Sequence, residues 1–333
     1  MSLLGEKKLD VSVVSPIYNE IENVELLATQ LNDALSGGKW SYELILVDDG
    51  STDGSWEKMV ELTKTVPHLV IIRLRRNFGQ TAAMSAGFDR ARGEFIVTLD
   101  ADLQNDPADI PKLLEKAEEG YDVVSGWRKD RKDPFINRRL PSMIANRIIS
   151  YITNVKLHDH GCTLKVYRKD IIKNIRLYGE MHRFIPALAS WVGGRVAEVV
   201  VTHHPRRFGS SKYGISRTIR VILDLITVKF LLHYAMGPIQ MFGKLGALFG
   251  VPGLLMLVLM IGGNISYMLF GTEFAADLVK RPFWIMSAFM LIFFGVQFLS
   301  MGLLAEMQIR TYHESQDKPI YVIKETLESE TKA

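Results

Sequence analysis

The sequence predicts an α/β domain over residues 1–210, followed by an amphipathic helix and two C-terminal helices that cross a membrane. Three observations predict this architecture. Short apolar runs alternate with helical patterns in the first part of the chain, acidic clusters follow several of these runs, and two long uncharged runs lie near the C-terminus. Alternation of this kind is typical of a largely parallel sheet with helices on both faces.

Composition excludes several other classes of protein. The chain of 333 residues has 40 basic and 37 acidic side chains, and a net charge of +3 is too small for a protein that binds nucleic acid over its whole surface. Apolar residues make up 47% and charged residues 23%, which excludes a disordered chain. The single cysteine, Cys162, excludes a disulfide scaffold and a zinc site built on several cysteines, and it fits a reducing compartment.

The elements of the α/β domain alternate in order along the chain. Strands are predicted at Val11–Ser15, Leu44–Val47, Leu69–Leu74 and Phe95–Leu99. Helices are predicted at Glu22–Leu35, Ser55–Val66, Thr81–Arg90 and Ile110–Glu119. The sequence contains no G-x-G-x-x-G and no G-x-x-x-x-G-K-[ST], so neither a dinucleotide fingerprint nor a Walker loop is predicted.

Polar clusters follow three of the predicted strands. They are Pro16–Glu20 after the first strand, Asp48–Gly54 after the second and Asp100–Gln104 after the fourth. Because ligands of such sheets bind beyond the carboxyl ends of the strands, we expect these clusters to share one edge. Asp100 and Asp102 point the same way if the strand stays extended, since strand side chains repeat every two residues. Their carboxylates, with the amide oxygen of Gln104, are hard ligands that suit Mg²⁺ or Mn²⁺ carrying a phosphate substrate.

Two uncharged runs, Leu245–Thr272 and Pro282–Ala305, are each long enough to cross a ~30 Å hydrocarbon core, which takes ~20 helical residues. The alternative is a pair of buried helices in a soluble core, but such helices almost always carry a polar face. The short connection between the runs predicts a transmembrane hairpin over residues 241–307. The distribution of Lys and Arg around the two spans places both termini in the cytoplasm, so we expect a multi-pass protein of the cell membrane.

An amphipathic stretch, Ile215–Tyr234, precedes the hairpin. Its apolar residues recur at helical spacing, which predicts a helix lying in the membrane interface within residues 211–240. An ordinary amphipathic core helix is the alternative. Residues 308–333 are predicted to form a cytoplasmic C-terminal tail.

Seven motifs, in order over about 200 residues, carry a resemblance to a known family. They are V-S-P-I-Y-N-E (14–20), V-D-D-G-S-T-D-G-S (47–55), R-N-F-G-Q-T-A-A (76–83), D-A-D-L-Q-N-D-P (100–107), S-G-W-R (125–128), G-C-T-L-K-V-Y-R-K (161–169) and R-R-F-G-S-S-K-Y-G (206–214). With them the sequence resembles the membrane-anchored glycosyltransferases of family 2, which have the GT-A fold. In particular it is similar to the polyprenyl-phosphate glycosyltransferases, such as bactoprenol glucosyltransferases and dolichol-phosphate mannose synthases.

The resemblance implies a role for each matching residue. The nucleotide pocket would be formed by Pro16, Tyr18, Glu20, Asp49 and Asp100. Within it, Asp49 would contact the base and Asp100 would lie close to the ribose. The metal on the diphosphate would be held by Asp100, Asp102 and Gln104. The acceptor phosphate would be gathered by Arg128, Arg138, Ser142, Arg206 and Lys212, of which Arg138 and Ser142 are aligned only by their R-x-x-x-S spacing. The candidate catalytic residues are Asp102, Arg128 and Asp159, the last as a general base or a sugar contact, with an ordinary loop aspartate as the alternative.

The resemblance also implies a reaction. A sugar would pass with inversion from a nucleotide sugar to polyprenyl phosphate, with Mg²⁺ or Mn²⁺ as cofactor and a lipid membrane as partner. UDP-glucose is favoured as donor over GDP-mannose. A processive polysaccharide synthase would need a channel and a downstream Q-x-x-R-W, which the sequence lacks. An inactive docking subunit would be expected to have lost its acidic set, which is intact, and homo-oligomerisation is left open.

Overall fold

The computed structural model describes residues 9–130, 140–175, 177, 181–205, 238–271, 282–315 and 323–328. The chain divides into two units. One comprises residues 1–228 with 319–333 and holds the sheet, and the other comprises residues 229–318 and holds the two apolar helices. The predicted interfacial helix, 215–234, lies outside the described residues.

The described elements have the following bounds. The strands are β1 Val11–Ile17, β2 Tyr42–Asp48, β3 Leu69–Leu74, β4 Phe95–Thr98, β5 Val123–Trp127, β6 Lys165–Arg168, β7 Val196–Val200 and β8 Ile323–Glu328. The helices are α1 Ile21–Ser36, α2 Ser55–Leu62, α3 Gln80–Arg90, α4 Ile110–Glu118, α5 Leu140–Thr153, α6 Lys169–Lys173, α7 Ile185–Trp191, α8 Pro238–Phe270 and α9 Pro282–Ser315. All four strands and all four helices predicted for the first 120 residues are present, with ends that differ by a few residues.

The eight described strands form one sheet in the order β7-β5-β6-β4-β1-β2-β3-β8. Its centre is parallel, because β1 pairs in parallel with β2 and β4, and β2 pairs in parallel with β3. β6 runs antiparallel to both β4 and β5, and β8 runs antiparallel to β3. The prediction of a mostly parallel α/β sheet is confirmed.

Helices cover the central strands closely on both faces. β1 and β2 are buried along nearly their whole length, as expected for strands in the middle of a parallel sheet. Helix α3 approaches β1 so tightly that a Cβ on Gly87 would lie 2.3 Å from Cγ1 of Val14. This contact matters for the site, since α3 begins with Gln80 at the carboxyl edge of the sheet.

The C-terminal segment contributes an edge strand that the sequence did not predict. β8 lies within residues 308–333, which were interpreted as a tail, and it pairs with β3 through contacts such as Ile71 with Leu327. Arg90 at the end of α3 forms an ion pair with Glu328. The strand was missed because its sequence, IKETLE, is short and mostly polar, as an edge strand that faces water can be.

The apolar unit consists of α8 and α9, which pack against each other. Both are long and apolar enough to span a membrane, over Gln240–Phe270 and Pro282–Ala305, and only 17% of the most apolar window of each is buried. The helices approach most closely at glycines, because a Cβ on Gly295 would lie 2.7 Å from Cα of Gly250. Small residues allow such backbone approach between membrane helices. By contrast, a Cβ on Gly262 would meet no described atom within 4 Å.

Candidate active site

The polar clusters predicted from the sequence lie at one edge of the sheet. β1, β2 and β4 end there in register, with Ile17 opposite Asp48 and Val14 opposite Thr98. Because β6 runs the other way, its first residue, Lys165, lies at the same edge between β4 and β5. The expectation of a shared edge is confirmed, and β5 and β6 add residues that the four predicted strands did not include.

The loops after β1 and β2 are joined by hydrogen bonds between their side chains and backbones. The amide of Asn19 donates to Oγ of Ser51 at 2.9 Å, and the amide of Thr52 donates to Oδ1 of Asn19 at 2.9 Å. The amide of Glu20 donates to Oγ of Ser55 at 3.0 Å. Asn19 has φ of 53°, a left-handed conformation that asparagine tolerates better than most residues. These bonds fix the backbone that carries Pro16, Tyr18 and Glu20, and Tyr18 is 38% exposed at this edge.

Asp49 uses both carboxylate oxygens to hold the loop before α3. Its Oδ1 accepts from the amide of Phe78 at 2.7 Å and its Oδ2 accepts from the amide of Gly79 at 2.9 Å. Burial raises the pKa of Asp49, which these two hydrogen bonds partly oppose. Gly50 passes so close to this loop that a Cβ would lie 2.6 Å from the carbonyl carbon of Arg76, and its φ of 73° favours glycine.

The acidic cluster after β4 is built by a turn. β4 ends at Thr98, and the chain turns at residues 101–103, where Leu103 has φ of 57°. The strand therefore does not stay extended through Asp100 and Asp102, which was the condition under which their side chains would point the same way. Burial, followed by the negative charge of Asp102, raises the pKa of Asp100 to about 7.

Asp100 is also held by groups that the sequence analysis did not single out. Nε2 of Gln80 donates to Oδ1 of Asp100 at 2.6 Å, and the amide of Asp100 donates to Oγ1 of Thr163 at 3.3 Å. The amide of Gln104 donates to Oδ1 of Asp102 at 3.2 Å. Gln80 belongs to the motif R-N-F-G-Q, but the sequence did not predict its hydrogen bond to Asp100.

These residues fit a divalent cation. Burial and then the negative charge of Asp102 raise the pKa of Asp100, and a bound cation would favour the ionised form of both carboxylates. Within the described part of the chain, no group of three or more His, Cys, Asp or Glu side chains is arranged to hold a metal ion. The two carboxylates and the amide oxygen of Gln104 are oxygen ligands, which suit Mg²⁺ and Mn²⁺, ions that commonly take further oxygens from substrate phosphates.

Arg128 and Asp159 form a buried ion pair at the carboxyl end of β5. Nε of Arg128 lies 2.7 Å from Oδ2 of Asp159, and Nη2 lies 3.0 Å from Oδ1. Only 12% of the Arg128 side chain and 4% of the Asp159 side chain are exposed. The guanidinium has five N–H donors, and this pair uses two of them. Arg128 follows β5 and the acidic cluster follows β4, so both lie at the carboxyl edge of the sheet, on either side of β6.

Lys165 is a second buried cation at this edge, and the sequence analysis assigned it no role. Its Nζ donates to the carbonyl oxygen of His160 at 3.2 Å and to that of Cys162. Burial lowers the pKa of Lys165. The thiol of Cys162 is fully buried, and burial raises its pKa to about 11, so it has little thiolate at neutral pH. In the sequence, Lys165 differs from other lysines only by its position in the motif G-C-T-L-K.

The chain that leads to the basic motif 206–214 is attached beside the acidic cluster. Asn105 and His203 form an isolated antiparallel bridge, and the amide of His204 donates to the carbonyl oxygen of Gln104 at 2.9 Å. Nε2 of His204 lies 2.9 Å from Oδ2 of Asp106. Four of the predicted acceptor residues are not placed by these contacts. Arg138, Arg206 and Lys212 lie outside the described residues, and Ser142 is described only as a position on α5.

The amino-acid sequence matches a known family and several of its characterised members. Residues 12–176 match the model of glycosyl transferase family 2. The chain is 45% identical to dodecaprenyl-phosphate galacturonate synthase of Rhizobium johnstonii, over 98% of this chain and 96% of the relative. It is 38% identical to undecaprenyl-phosphate 4-deoxy-4-formamido-L-arabinose transferase of Photorhabdus laumondii, over 95% of this chain and 94% of the relative.

A solved structure shares the fold. Glucosyl-3-phosphoglycerate synthase from Mycobacterium tuberculosis, crystallised with Mn²⁺, UDP and glucosyl-3-phosphoglycerate, superposes with a TM-score of 0.52 at 16% sequence identity. The match covers 67% of this chain and 80% of the solved one. At this identity the likeness shows the fold alone, which is the GT-A type expected from the sequence.

Proposed function

The chain belongs to glycosyl transferase family 2 and is a glycosyltransferase, and from this premise we propose that it transfers a sugar from a nucleotide sugar to polyprenyl phosphate. The observation that carries the proposal is the pairing of charges at one sheet edge. An acidic pair, Asp100 and Asp102, and a buried cation, Arg128, lie at the same edge of the sheet, which is what a reaction between a metal-bound diphosphate and an anionic acceptor needs. The relatives that match nearly the whole chain support the polyprenyl-phosphate acceptor.

On the donor side, Asp100, Asp102 and Gln104 would hold a divalent cation on the diphosphate. The bound cation would neutralise the charge that gathers on the leaving nucleoside diphosphate. Mg²⁺ and Mn²⁺ both suit these oxygen ligands, and the Mn²⁺ in the Mycobacterium tuberculosis structure supports a divalent ion in this fold. Gln80 would keep Asp100 turned toward this site through its 2.6 Å hydrogen bond.

The nucleotide would lie against the loops after β1 and β2. Pro16, Tyr18 and Glu20 would line the pocket, and Tyr18 is 38% exposed at this edge. Asp49 would contribute in two ways. Its oxygens already accept the amides of Phe78 and Gly79, so it shapes the pocket wall, and each oxygen retains a lone pair for the base.

On the acceptor side, cations would offset the repulsion between two anions. Two unit charges 4 Å apart interact by about 4 kcal/mol at an effective dielectric near 20, so an uncompensated approach would stop the reaction. Arg128 would supply one compensating charge from within the described site. The others would come from Arg138, Arg206 and Lys212, with a hydroxyl from Ser142. The attachment of His203 and His204 beside the acidic cluster supports this placement, because the basic motif follows directly in the chain.

The acceptor does not require a strong general base. A phosphate monoester has a second pKa near ~6, so it is largely a dianion at neutral pH and can attack without losing a proton. Asp159 was a candidate base or sugar contact. Its bidentate pairing with Arg128 makes it a weak base, which favours a role in orienting Arg128. A single in-line displacement by the phosphate oxygen would invert the anomeric carbon.

The membrane helices would anchor the enzyme to the bilayer that contains its acceptor. A polyprenyl tail stays in lipid, so its phosphate remains at the interface. The hairpin of α8 and α9 and the amphipathic segment 215–234 would anchor the enzyme there, with the sheet unit on the cytoplasmic face. Association of two copies through the hairpin is compatible with this arrangement.

For the sugar we propose a UDP-linked donor. The sequence favours UDP-glucose, and the name of the 45% identical relative makes galacturonate an equal candidate for the sugar. GDP-mannose remains the third donor to include. The sugar itself depends on pocket residues that the shared fold does not determine.

A donor panel in detergent tests the proposal. UDP-glucose, UDP-galacturonate, UDP-N-acetylglucosamine and GDP-mannose would each be offered with undecaprenyl phosphate and Mg²⁺ or Mn²⁺, and lipid-linked sugar would be measured. Transfer from one donor, lost by about 100-fold or more in Asp102→Ala and retained in the exposed control Asp33→Ala, is the expected result. Transfer that survives in Asp102→Ala, or transfer to water alone, would overturn it.

A further inference from the structure

Glu198, on β7, is connected to the candidate site although it belongs to none of the motifs. Its side chain is only 12% exposed. One carboxylate oxygen, Oε1, accepts from the amides of His158 and Asp159 at 2.9 and 3.0 Å. The other, Oε2, lies 2.7 Å from Nδ1 of His158 and also accepts from its amide at 3.1 Å. A single carboxylate therefore fixes both the backbone and one ring of this loop.

The loop that Glu198 fixes supports the two residues at the end of β5. The ring of His158 stacks on Trp127, with centroids 4.2 Å apart and an angle of 15° between the planes. The next residue, Asp159, holds Arg128 through two hydrogen bonds, and the amide of Gly161 donates to Oδ1 of Asp159 at 3.1 Å. Consecutive loop residues thus contact Trp127, the last residue of β5, and Arg128, which follows it, and Glu198 accepts from the backbone amides of both loop residues.

We propose that Glu198 is a positioning residue that sets the direction of the Arg128 guanidinium toward an anionic ligand, a proposal that rests on the acceptor-phosphate role given to Arg128 above. Because Arg128 and Asp159 are both buried, the direction of the Arg128 guanidinium depends on where the backbone holds Asp159. That backbone is held by Glu198 across the sheet, since Glu198 is opposite Ser125 in the register of β5 and β7. Without the carboxylate, the amides of exposed His158 and buried Asp159 would lose their acceptor, and the loop would shift to find a new partner for the buried one.

Two substitutions of Glu198 distinguish a positioning role of its side chain from an effect of its negative charge. A glutamine in place of Glu198 would keep an amide oxygen for the two backbone amides, and its NH₂ group would donate to Nδ1 of His158 in the other tautomer. Each of the three groups that the carboxylate contacts would keep one hydrogen bond without the charge, and only the second contact of the His158 amide, at 3.1 Å, would be lost. Glu198→Gln should therefore retain function, whereas Glu198→Ala removes the acceptor altogether.

The first measurement is a kinetic comparison of the full-length enzyme in detergent. For Glu198→Ala we expect the KM for undecaprenyl phosphate to rise about tenfold, the effect of weakening a hydrogen bond to a charged group, while the KM for the nucleotide sugar stays within about twofold. Glu198→Gln should stay within about threefold of the unsubstituted enzyme. Glu115→Ala, an exposed glutamate on α4, is the matched control. Equal defects in the Ala and Gln variants, or an equal rise in both KM values, would overturn the proposal.

The second measurement does not depend on turnover. The Nε–H of Arg128, held by Asp159, should give a slowly exchanging signal in ¹⁵N NMR spectra of protein labelled at arginine, assigned by its loss in Arg128→Lys. We expect this signal to persist in Glu198→Gln and to exchange rapidly in Glu198→Ala. Its persistence in Glu198→Ala would overturn the positioning role. If the unsubstituted enzyme transferred no sugar to polyprenyl phosphate, the proposed function would fail, and this signal would still decide the role of Glu198.

Discussion

The side-chain amide of Gln80 donates a 2.6 Å hydrogen bond to Oδ1 of Asp100. Gln80 is the first residue of α3, and the loop before it is held by both oxygens of Asp49. The carboxyl end of β2 is thereby linked to the acidic cluster after β4 through one loop and one side chain. Groups that orient a metal ligand in this way commonly affect metal affinity although they do not touch the metal.

Gln80→Ala should therefore weaken metal use. We expect the Mn²⁺ concentration that gives half-maximal transfer to rise about tenfold, because Asp100 loses the donor that orients it. The measurement is a Mn²⁺ titration of sugar transfer at saturating donor. Gln30→Ala, on the partly exposed part of α1, serves as the control and should leave the titration unchanged. An unchanged titration in Gln80→Ala would mean that Asp100 needs no orienting partner.

Asp49→Asn should destabilise the protein and weaken donor binding. An asparagine keeps one acceptor oxygen and places an NH₂ group against the amide of either Phe78 or Gly79, so one buried donor loses its partner. The expected loss is about 1–3 kcal/mol in the free energy of unfolding. Thermal unfolding with and without UDP measures both effects.

The control for this prediction is Asp33→Asn, an exposed substitution of the same type on α1. Its thermal midpoint should match that of the unsubstituted protein. An Asp49→Asn protein with the same midpoint and the same stabilisation by UDP would contradict the role of Asp49 as the support of this loop.

The central strands of the sheet could be predicted because each one is indicated by a pattern of neighbouring residues in the sequence. Apolar runs such as Leu44–Val47 and the polar residues that follow them determine both the strands and the edge to which their loops belong. The contacts of Arg128 and Asp100 could not be predicted in this way. Arg128 meets Asp159 because β6 runs antiparallel beside β5, and Gln80 meets Asp100 because α3 packs on β1. Such pairs depend on strand order and helix packing, which have no periodic signal in the sequence.

The edge strand β8 illustrates a second limit of the sequence. Apolar and polar residues alternate only weakly in this strand, which follows the two long apolar helices. The composition of residues 308–333 therefore favoured a C-terminal tail. Pairing with β3 satisfies its backbone, and that partner is more than 200 residues earlier in the chain. Local propensity is a weak guide for a strand whose stability comes from such a distant neighbour.

Gly87→Ala should be destabilising far beyond the usual effect of this substitution. A Cβ at Gly87 would lie 2.3 Å from Cγ1 of Val14, so α3 would have to move away from β1. Overpacking of this kind typically costs about 1–3 kcal/mol. Because α3 carries Gln80, the metal requirement of transfer should rise as well. Denaturant unfolding measures the first effect and a Mn²⁺ titration measures the second.

Gly37→Ala provides the matched comparison, since a Cβ at Gly37 would meet nothing within 4 Å. Its backbone φ is −90°, which alanine adopts without strain. The Gly37 variant should be as stable as the unsubstituted protein. Equal stability of the two glycine variants would show that α3 can shift on β1 without loss.

The buried histidine His160 should make the protein less stable at acid pH. Burial, assisted by the positive charge of Lys165, lowers the pKa of His160 to about 4, while the same side chain in the unfolded chain titrates near 6.5. Its Nε2 is 2.9 Å from Oγ of Ser150, and Nδ1 has no hydrogen-bond partner among the described residues. Between about pH 6.5 and 4 the unfolded state therefore binds more protons than the folded state, and the free energy of unfolding falls as the pH falls.

His160→Gln isolates this contribution, because glutamine can keep a hydrogen bond to Ser150 and does not titrate. The thermal midpoints of both proteins would be measured in detergent from pH 8 to pH 5, with pH 8 as the reference at which the histidine is neutral in both states. Between pH 6.5 and 5 the free energy of unfolding should fall more steeply in the unsubstituted protein, by at most ~1.4 kcal/mol for each pH unit. Parallel curves for the two proteins would mean that His160 can be protonated in place. Protonation of His160 should affect the candidate site as well as the stability of the fold. Its carbonyl oxygen accepts a hydrogen bond from Nζ of Lys165, the buried cation at the carboxyl edge of the sheet.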